Sequence, residues 1–405
     1  MKKRTLQKRI LWLLFLVAVY CLGQFIIIPF VSTKIAEHYL RRNTLLRVIG
    51  MYTGAQTNRP SLLMLGIGPY MSANIVLQAI TSLDIAKLRN MSAHDTGILI
   101  NFLSLFFGIL QGIMYAYNLR PALIYIGFFG HNVSFLLTTI VLIAGAMIAV
   151  FLANLNSEKG IGGSAMLMLP QLLVSLPTIL KHGWGNGTYK FTTNNLIIVF
   201  AVVILLIPCG LILTRAEERL PLRNPMLTSN FAESFFPMRL LLGGAMPFMF
   251  SNTLFMLPRM LSGNIKKFKN IVLSLTLLNQ VSGILFYILI IIILNFIFGI
   301  ISLQPSVKAR ELKESGCYFY ETVAGADTES FLLQHFIRLT WISSLFLILI
   351  SVWPLILGLK WHQLANLTPF IGNAFIIITI VYAAKQEYQT LNNERKYVIN
   401  MWAKN

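Results

Sequence analysis

The chain alternates between apolar runs and polar connections along its whole length. Ten of the runs fit the span of about 20 residues that a helix needs to cross a hydrocarbon core roughly 30 Å thick. The pattern therefore predicts an all-α integral membrane protein with ten transmembrane helices, which we call spans 1 to 10. The predicted spans cover residues 10–31, 61–83, 96–118, 134–153, 164–180, 195–214, 238–258, 277–302, 336–358 and 370–384.

Span 2 departs from a simple apolar helix. It opens on Gly66, Gly68 and Pro69 and carries the amides Asn74 and Gln78 further along. A helix that only contacts lipid needs neither the glycines and proline at its start nor amides in its middle. We therefore expect this span to line a water-filled or hinged path.

Composition and the N-terminus agree with a membrane protein. Hydrophobic residues make up 56% of the chain and charged residues 12%, whereas soluble proteins have about 25% charged residues. The first apolar run follows a basic N-terminus, is too long for the core of a signal peptide and lacks a small-residue cleavage site. We interpret it as span 1 with its basic end in the cytoplasm, and an even number of spans returns the C-terminal tail to the same side.

The formal net charge of +19 is spread over both predicted faces. Lys and Arg are more numerous on the cytoplasmic side, as expected, but nearly all acidic residues lie there too, so the external face is also strongly basic. The favoured interpretation is that the external Lys and Arg side chains contact anionic lipid headgroups. An anionic cell wall or an anionic passenger is the alternative.

Two predicted cytoplasmic connections are longer than most others and contain both signs of charge. We call them loop A, Arg215–Pro237, and loop B, Gln304–Gln334. They are either a platform for a soluble partner or simply solvated loops. On the external side, the stretch Asn43–Tyr52 after span 1 is moderately apolar but too short and too basic to span, which predicts a re-entrant segment.

No motif for catalysis, nucleotide binding or metal binding occurs in the chain. We therefore expect no enzyme activity, no cofactor, no metal site and no nucleic-acid partner. The spans contain essentially no acidic residue, which argues against a proton- or sodium-coupled carrier. Any energy for transport must come from another protein.

Four segments combine glycine, proline or charged residues with apolar ones: Leu65–Ala73 in span 2, Lys159–Gly163 before span 5, Gly243–Pro247 in span 7 and Arg338–Thr340 in span 9. In their order and spacing they resemble motifs of the SecY family of protein-conducting channels. The resemblance implies two inverted five-helix halves, 1–182 and 183–384, around a central pore. It also implies a plug at 43–57, a lateral gate, and a cytoplasmic tail over 385–405.

The resemblance further implies particular pore and gate residues. The implied pore ring is Ile67, Met71, Ala165, Leu169, Met249 and Ile377, and the amides near the implied lateral gate are Asn74, Gln78, Asn101 and Asn252. Spacing supports part of this independently, because residues four apart, such as 67 and 71, share a helix face. Some of these residues could equally be ordinary core residues or bundle hydrogen bonds.

Loops A and B match the family's contact surface for a motor ATPase, with departures. The implied docking residues are Arg215, Arg219, Arg223, Lys308, Arg310 and Lys313. Loop B has Thr322–Ala326 where the family presents an arginine, and loop A has Glu217 and Glu218 where basic residues are usual. This altered surface resembles the accessory members of the family found in certain Gram-positive bacteria.

The expected function is therefore the channel of an accessory translocase in the cell membrane. The resemblance implies a separate accessory SecA-type ATPase, accessory secretion proteins, SecE- or SecG-like subunits, membrane lipids, and an unfolded, glycosylated serine-rich adhesin as the preprotein. Both termini would be cytoplasmic. The alternatives are a housekeeping SecY channel and, with less support, a lipid or polysaccharide flippase.

Overall fold

The computed structural model describes most of the chain and all ten predicted spans in whole or in large part. The described residues are 3–42, 59–82, 91–124, 131–182, 193–223, 234–261, 281–320, 322–323, 325–360, 364 and 367–402. The predicted plug, 43–57, lies outside them.

The helices of the described part match the hydropathy pattern. We number them α1 Lys3–Gly23, α2 Thr33–Arg42, α3 Gly68–Ser82, α4 Ala93–Leu119, α5 His131–Lys159, α6 Leu169–His182, α7 Thr193–Arg215, α8 Met246–Leu261, α9 Val281–Leu303, α10 Pro305–Glu314, α11 Ala326–Lys360 and α12 Leu367–Trp402. Ten correspond to the ten spans, while α2 and α10 are additional. Seven helical segments of the described chain are long and apolar enough to cross a membrane.

Helix α1 ends at Gly23, eight residues before the predicted end of span 1. A side chain at Gly23 would place its Cβ 2.5 Å from Leu63, so the chain passes close to the segment before α3. Residues 24–32 then run without helix, hydrogen-bonded to residues 60–62 on one side and 122–124 on the other, at N–O distances of 2.8 to 3.3 Å. Hydropathy could not detect this change because both conformations use apolar residues.

Helix α12 continues well past the predicted end of span 10 at residue 384. It reaches Trp402, so the predicted tail 385–405 is helical over its described part. No glycine or proline interrupts 385–402, and nothing in that stretch ends the helix. Apolar character marks only the spanning portion, which is why hydropathy placed the end too early.

Loops A and B join in a small antiparallel sheet that the all-α expectation did not include. The strands are β1 Glu217–Arg223 and β2 Ser234–Arg239 from loop A, and β3 Tyr318–Phe319 from loop B. Their order is β2-β1-β3. In the register, Leu220 pairs with Phe236 and Leu222 with Phe319.

Loop B contains more regular structure than expected. It includes α10 and β3, and α11 begins at Ala326, ten residues before the predicted start of span 9. The Ser306 hydroxyl donates to Glu329 Oε1 at 2.9 Å, which ties α10 to the first turn of α11.

The chain divides into two compact units, which we describe separately. The first contains Met1–Asn74, Ala93–Leu180 and Ile377–Asn405, and the second contains Ile75–Ser92 and Lys181–Ile376. A core of the first unit surrounds buried Tyr115, with residues of α2, α4 and α5. A core of the second unit lies under the sheet around Phe319 and Phe336. The predicted halves, 1–182 and 183–384, stay a prediction because compactness does not report internal symmetry.

Candidate functional site

The turns that precede α3 and α8 have the same backbone geometry. Gly66 and Gly244 both have a φ of +57°, a left-handed conformation that favours glycine because it has no Cβ. Each helix then has proline at its second residue, Pro69 in α3 and Pro247 in α8. Proline is tolerated there because backbone N–H groups in the first helical turn have no acceptor within the helix, so the N–H that proline lacks costs no helical hydrogen bond.

The hydrogen bonds of the two turns also correspond position by position. Gly66 N donates to Leu63 O at 3.0 Å, and Gly244 N donates to Leu241 O at 3.3 Å. One turn later, the Met71 and Met249 amides donate to the carbonyls four residues earlier, at 3.0 and 3.2 Å. The two segments therefore follow one backbone pattern.

Aligning the two glycines reveals a sequence repeat that hydropathy alone did not reveal. Residues 66–74 and 244–252 both read Gly-x-x-Pro-aromatic-Met-x-x-Asn. The alignment pairs the predicted ring residues Met71 and Met249, and the predicted gate residues Asn74 and Asn252. Comparing the sequence with itself could have found this signal.

A third glycine turn precedes α6. Gly162 and Gly163 have φ values of +84° and +62°, and Gly162 N donates to Glu387 Oε2 of α12 at 2.7 Å. The buried Asn156 side chain donates to the Gly163 carbonyl. A short 3-10 helix, Ser164–Met168, follows and leads directly into α6.

The structure places five of the six predicted ring residues at or just after these turns, while the sixth, Ile377, lies within α12. Ile67 is fully buried just before α3, and Met249 is 6% exposed in α8. The other four are partly buried: Met71 in α3, Ala165 in the 3-10 helix, Leu169 at the start of α6, and Ile377 in α12. Met249 belongs to the second unit and the others to the first, so the closed ring stays a prediction.

The predicted gate amides have different surroundings. Asn74 and Gln78 are partly buried on α3, and Asn252 lies within α8. Asn101 is exposed on α4, and its Oδ1 accepts from Asn154 Nδ2 of α5 at 2.8 Å. This contact lies within the first unit, so Asn101 has a partner that the sequence did not predict.

The structure also shows a cross-helix hydrogen bond that sequence reasoning missed. Gln111 Nε2 of α4 donates to Ser72 Oγ of α3 at 3.4 Å. Ser72 itself donates to the Gly68 carbonyl at 3.1 Å. The sequence signal for this hydrogen bond was Gln111 itself, a glutamine within a long apolar run.

The docking residues predicted in loop A lie on or beside the sheet. Its outer face presents alternate residues of β1, including Arg219 and Arg223, which are exposed. Arg219 lies 4.7 Å from the Phe235 ring and bonds Glu217 at 3.0 Å. Arg223 lies 5.2 Å from the Tyr320 ring. Arg215 is exposed at the end of α7.

The docking residues predicted in loop B all lie on α10. Lys308 Nζ is 2.7 Å from Glu311, and Arg310 is 3.7 Å from Glu314. Lys313 is exposed. The structure thus shows loops A and B sharing one sheet, with α10 in the same compact unit, although the two loops are far apart in the sequence. Sequence reasoning missed the aromatic residues Phe235 and Tyr320 of this surface.

Comparison with known proteins identifies the family. The SecY family model matches residues 61–385. The chain is 26% identical to the accessory Sec system protein translocase subunit SecY2 of Leuconostoc gelidum subsp. gasicomitatum, over 96% of both chains. It is 25% identical to the SecY2 subunit of Streptococcus parasanguinis, over 98% of this chain and 97% of that protein. It is 23% identical to the protein translocase subunit SecY 1 of Lactobacillus kefiranofaciens subsp. kefiranofaciens, over 98% and 97%.

Solved structures show the same fold. A structure described as "The structure of a protein conducting channel" matches with a TM-score of 0.59 and 14% identity, over 96% of this chain and 93% of that chain. Sec61 in the canine ribosome-channel complex matches with a TM-score of 0.57 and 13% identity, over 96% of this chain and 93% of that chain. The flippase alternative is left without support. The chain belongs to the SecY family and is a multi-pass membrane protein-translocation channel.

Proposed function

We propose that this chain is the channel subunit of an accessory protein-export translocase. The observation that carries the proposal is the outer face of the β2-β1-β3 sheet, where arginines lie over aromatic rings. Relatives named SecY2 from Leuconostoc and Streptococcus agree with the accessory assignment. The similar identity to a SecY 1 subunit keeps the housekeeping channel as the alternative.

The sheet surface suits a soluble protein partner. Arginine and aromatic residues are the types most enriched at the centres of protein interfaces. Here Arg219 and Arg223 are held over Phe235 and Tyr320, so less side-chain freedom is lost when a partner binds. The sheet also fixes loop B relative to loop A through the Leu222–Phe319 pair. We propose that an accessory SecA-type ATPase docks on this surface and supplies the energy for transport.

The glycine-led helices suit a channel for extended chains. An apolar ring excludes water and ions when empty, and it binds no passenger tightly. Methionine deforms easily around varied side chains, and the repeat places one methionine at the same point of α3 and α8. We propose that Ile67, Met71, Ala165, Leu169, Met249 and Ile377 form this ring, with the amides Asn74, Gln78, Asn101 and Asn252 near a lateral gate.

The remaining parts of the proposal follow from the resemblance to accessory members of the family. The passenger is an unfolded preprotein of the glycosylated serine-rich adhesin type. The channel works in the cell membrane, with both termini in the cytoplasm, together with accessory secretion proteins and small SecE- or SecG-like subunits. The chain itself performs no catalytic step.

Co-purification from membranes with a stalled passenger tests the proposal. We expect an accessory ATPase and one large adhesin precursor to accompany the wild-type chain. Replacing both Arg219 and Arg223 by alanine should reduce the recovered ATPase about tenfold, because each is a central interface arginine. Lys385→Ala, an exposed lysine on α12, is the matched control. Recovery of the general secretome with the housekeeping ATPase would establish the alternative.

The same membranes test the ring residues. A cysteine at Met71 or at Met249 should form crosslinks to the stalled passenger, and a cysteine at Leu254, exposed on α8, should not. Crosslinking at Leu254 as strong as at the two methionine positions would remove the ring assignment.

A further inference from the structure

A pocket of about 340 Å³ lies between the start of β1 and α11. Its walls are Ala216, Glu217, Glu218, Leu240, Arg338, Leu339 and Ile342. We call it the Arg338 pocket. Its volume is at the lower end of the range for small-ligand sites.

The Arg338 pocket lies at the level where two apolar helices leave the membrane. Arg338 is the last charged residue before the uncharged stretch 339–359 of α11, and Arg215 is the first after the apolar part of α7. Trp341, one turn from Arg338, is 52% exposed. Tryptophan is enriched at the headgroup level of membrane proteins. The mouth of the pocket is therefore at headgroup depth.

Opposite charges line the pocket without pairing with each other. Glu218 Oε1 lies 3.2 Å from His335 Nδ1, while its Oε2 is buried without a hydrogen-bond partner. Arg338 is exposed, and in the described part of the chain no carboxylate lies within 4.0 Å of its guanidinium. Glu217 is already bonded to Arg219. The Glu218 side chain as a whole is 31% exposed, so its negative charge favours a ligand that brings a positive charge into the pocket.

The floor of the pocket is apolar. Leu339 is buried and Leu240 is half-buried. Ile342, which lies one turn deeper into the membrane than Arg338, is 39% exposed. A ligand held here would contact a cation, an anion and an apolar surface. A simple anion would meet repulsion from Glu218, and a simple cation would meet repulsion from Arg338.

We propose that the Arg338 pocket binds the headgroup of a phospholipid that carries both a phosphate and a primary ammonium group. The phosphate bonds the Arg338 guanidinium, whose planar donors match phosphate oxygens. The ammonium pairs with the partly exposed Glu218 carboxylate. The first methylenes of the acyl chains lie on Leu339 and Ile342. The lipid thereby bridges the sheet and α11 at the membrane surface.

Lipid competition on the full-length protein tests this proposal. The protein is placed in nanodiscs with equal amounts of phosphatidylethanolamine, phosphatidylcholine and phosphatidylglycerol, and retained lipids are measured by native mass spectrometry. We expect phosphatidylethanolamine to be enriched roughly fivefold, the effect of one charged contact at a membrane surface. Phosphatidylcholine lacks the N–H donors for Glu218, and phosphatidylglycerol lacks the ammonium group.

Three variants separate the contacts. Glu218→Gln should remove the preference over phosphatidylglycerol, since the amide keeps the shape but not the charge. Arg338→Gln should lower retention of all three lipids. Leu240→Trp fills the pocket without changing its charges and should abolish enrichment, which keeps the test valid if a charge variant unfolds. Lys385→Gln, an exposed cation outside the pocket, should match the wild type.

Other outcomes would overturn the proposal. Equal retention of the three lipids, or equal loss in Lys385→Gln, would show that the pocket does not select a headgroup. Displacement of the lipid by soluble glycerophosphoethanolamine at equal concentration would identify a soluble ligand instead. Weaker recovery of the ATPase in Arg338→Gln with unchanged lipids would identify a protein contact.

Discussion

The turns before α3 and α8 share a backbone path but have different neighbours. On the α3 side, the contact to the next helix is polar, from Gln111 to Ser72. On the α8 side, aromatic rings surround the helix start. Phe248 packs on Phe375 at a centroid distance of 5.1 Å, and Phe250 packs on Phe298 at 5.3 Å.

The difference separates the residues that set the shared backbone path of the repeat from those that only attach each copy to its neighbours. Glycine with positive φ, proline in the first turn and methionine one turn later recur in both copies, so the backbone path depends on them. The side chains that fasten each copy to its own unit are free to differ. Interhelical hydrogen bonds in membranes contribute about 0.6 kcal/mol, whereas a buried aromatic contributes several times more. We therefore expect the start of α8 to be held more firmly by its neighbours than the start of α3.

Phe248→Ala gives the largest expected effect. Phe248 is 1% exposed, so the substitution leaves a cavity beside Phe375 and should cost about 3 to 5 kcal/mol. Thermal unfolding followed by circular dichroism in one detergent measures the loss. Leu254→Ala, on the exposed side of α8, should change little. Equal destabilisation by both variants would contradict the view that aromatic packing fastens α8.

Gly66→Ala and Gly244→Ala test the equality of the two turns. Both residues have the same positive φ, so each alanine should cost about 1 to 2 kcal/mol through backbone strain. The same unfolding measurement applies. Gly97→Ala is the matched control, since it is helical and a Cβ there meets nothing within 4 Å. A neutral effect at only one of the two glycines would break the correspondence.

Ser72→Ala gives the smallest expected effect and sharpens the polar side of the comparison. It removes the acceptor for Gln111 and should cost about 0.6 kcal/mol. Ser157→Ala is the control, because the structure shows that hydroxyl bonded to its own helix at Ala153 O. A double substitution with Gln111→Leu should cost no more than the single ones combined. A loss as large as that of Phe248→Ala would refute the ranking of the two copies.

Much of the fold could be predicted because lipid imposes a simple rule on sequence. Spans of sufficient apolar length had to be helical, and all ten predicted spans correspond to helices. Helix ends were less predictable, as α1 stops at Gly23, where the chain passes close to Leu63, and α12 continues to Trp402 through a stretch that is less apolar than span 10. The sheet was missed because β1 pairs with β3, nearly a hundred residues away, and strands this short carry little periodic signal.

The candidate site could be predicted only in part for a related reason. Glycines, prolines and amides within apolar runs are visible in sequence, and they led to Gly66, Met71, Asn74 and their counterparts in α8. The partners of such residues depend on packing. The Asn101–Asn154 pair and the Arg338 pocket bring together residues from different helices and strands, which no local pattern specifies.

The extended segment 24–32 has a consequence for how the chain is built into the membrane. Its backbone groups are bonded to residues 60–62 and 122–124, which leave the ribosome later. Until those residues arrive, the far end of α1 carries unpaired peptide groups that water must solvate. The backbone hydrogen bonding of this segment is therefore complete only after residues 122–124, which follow α4, have been synthesised.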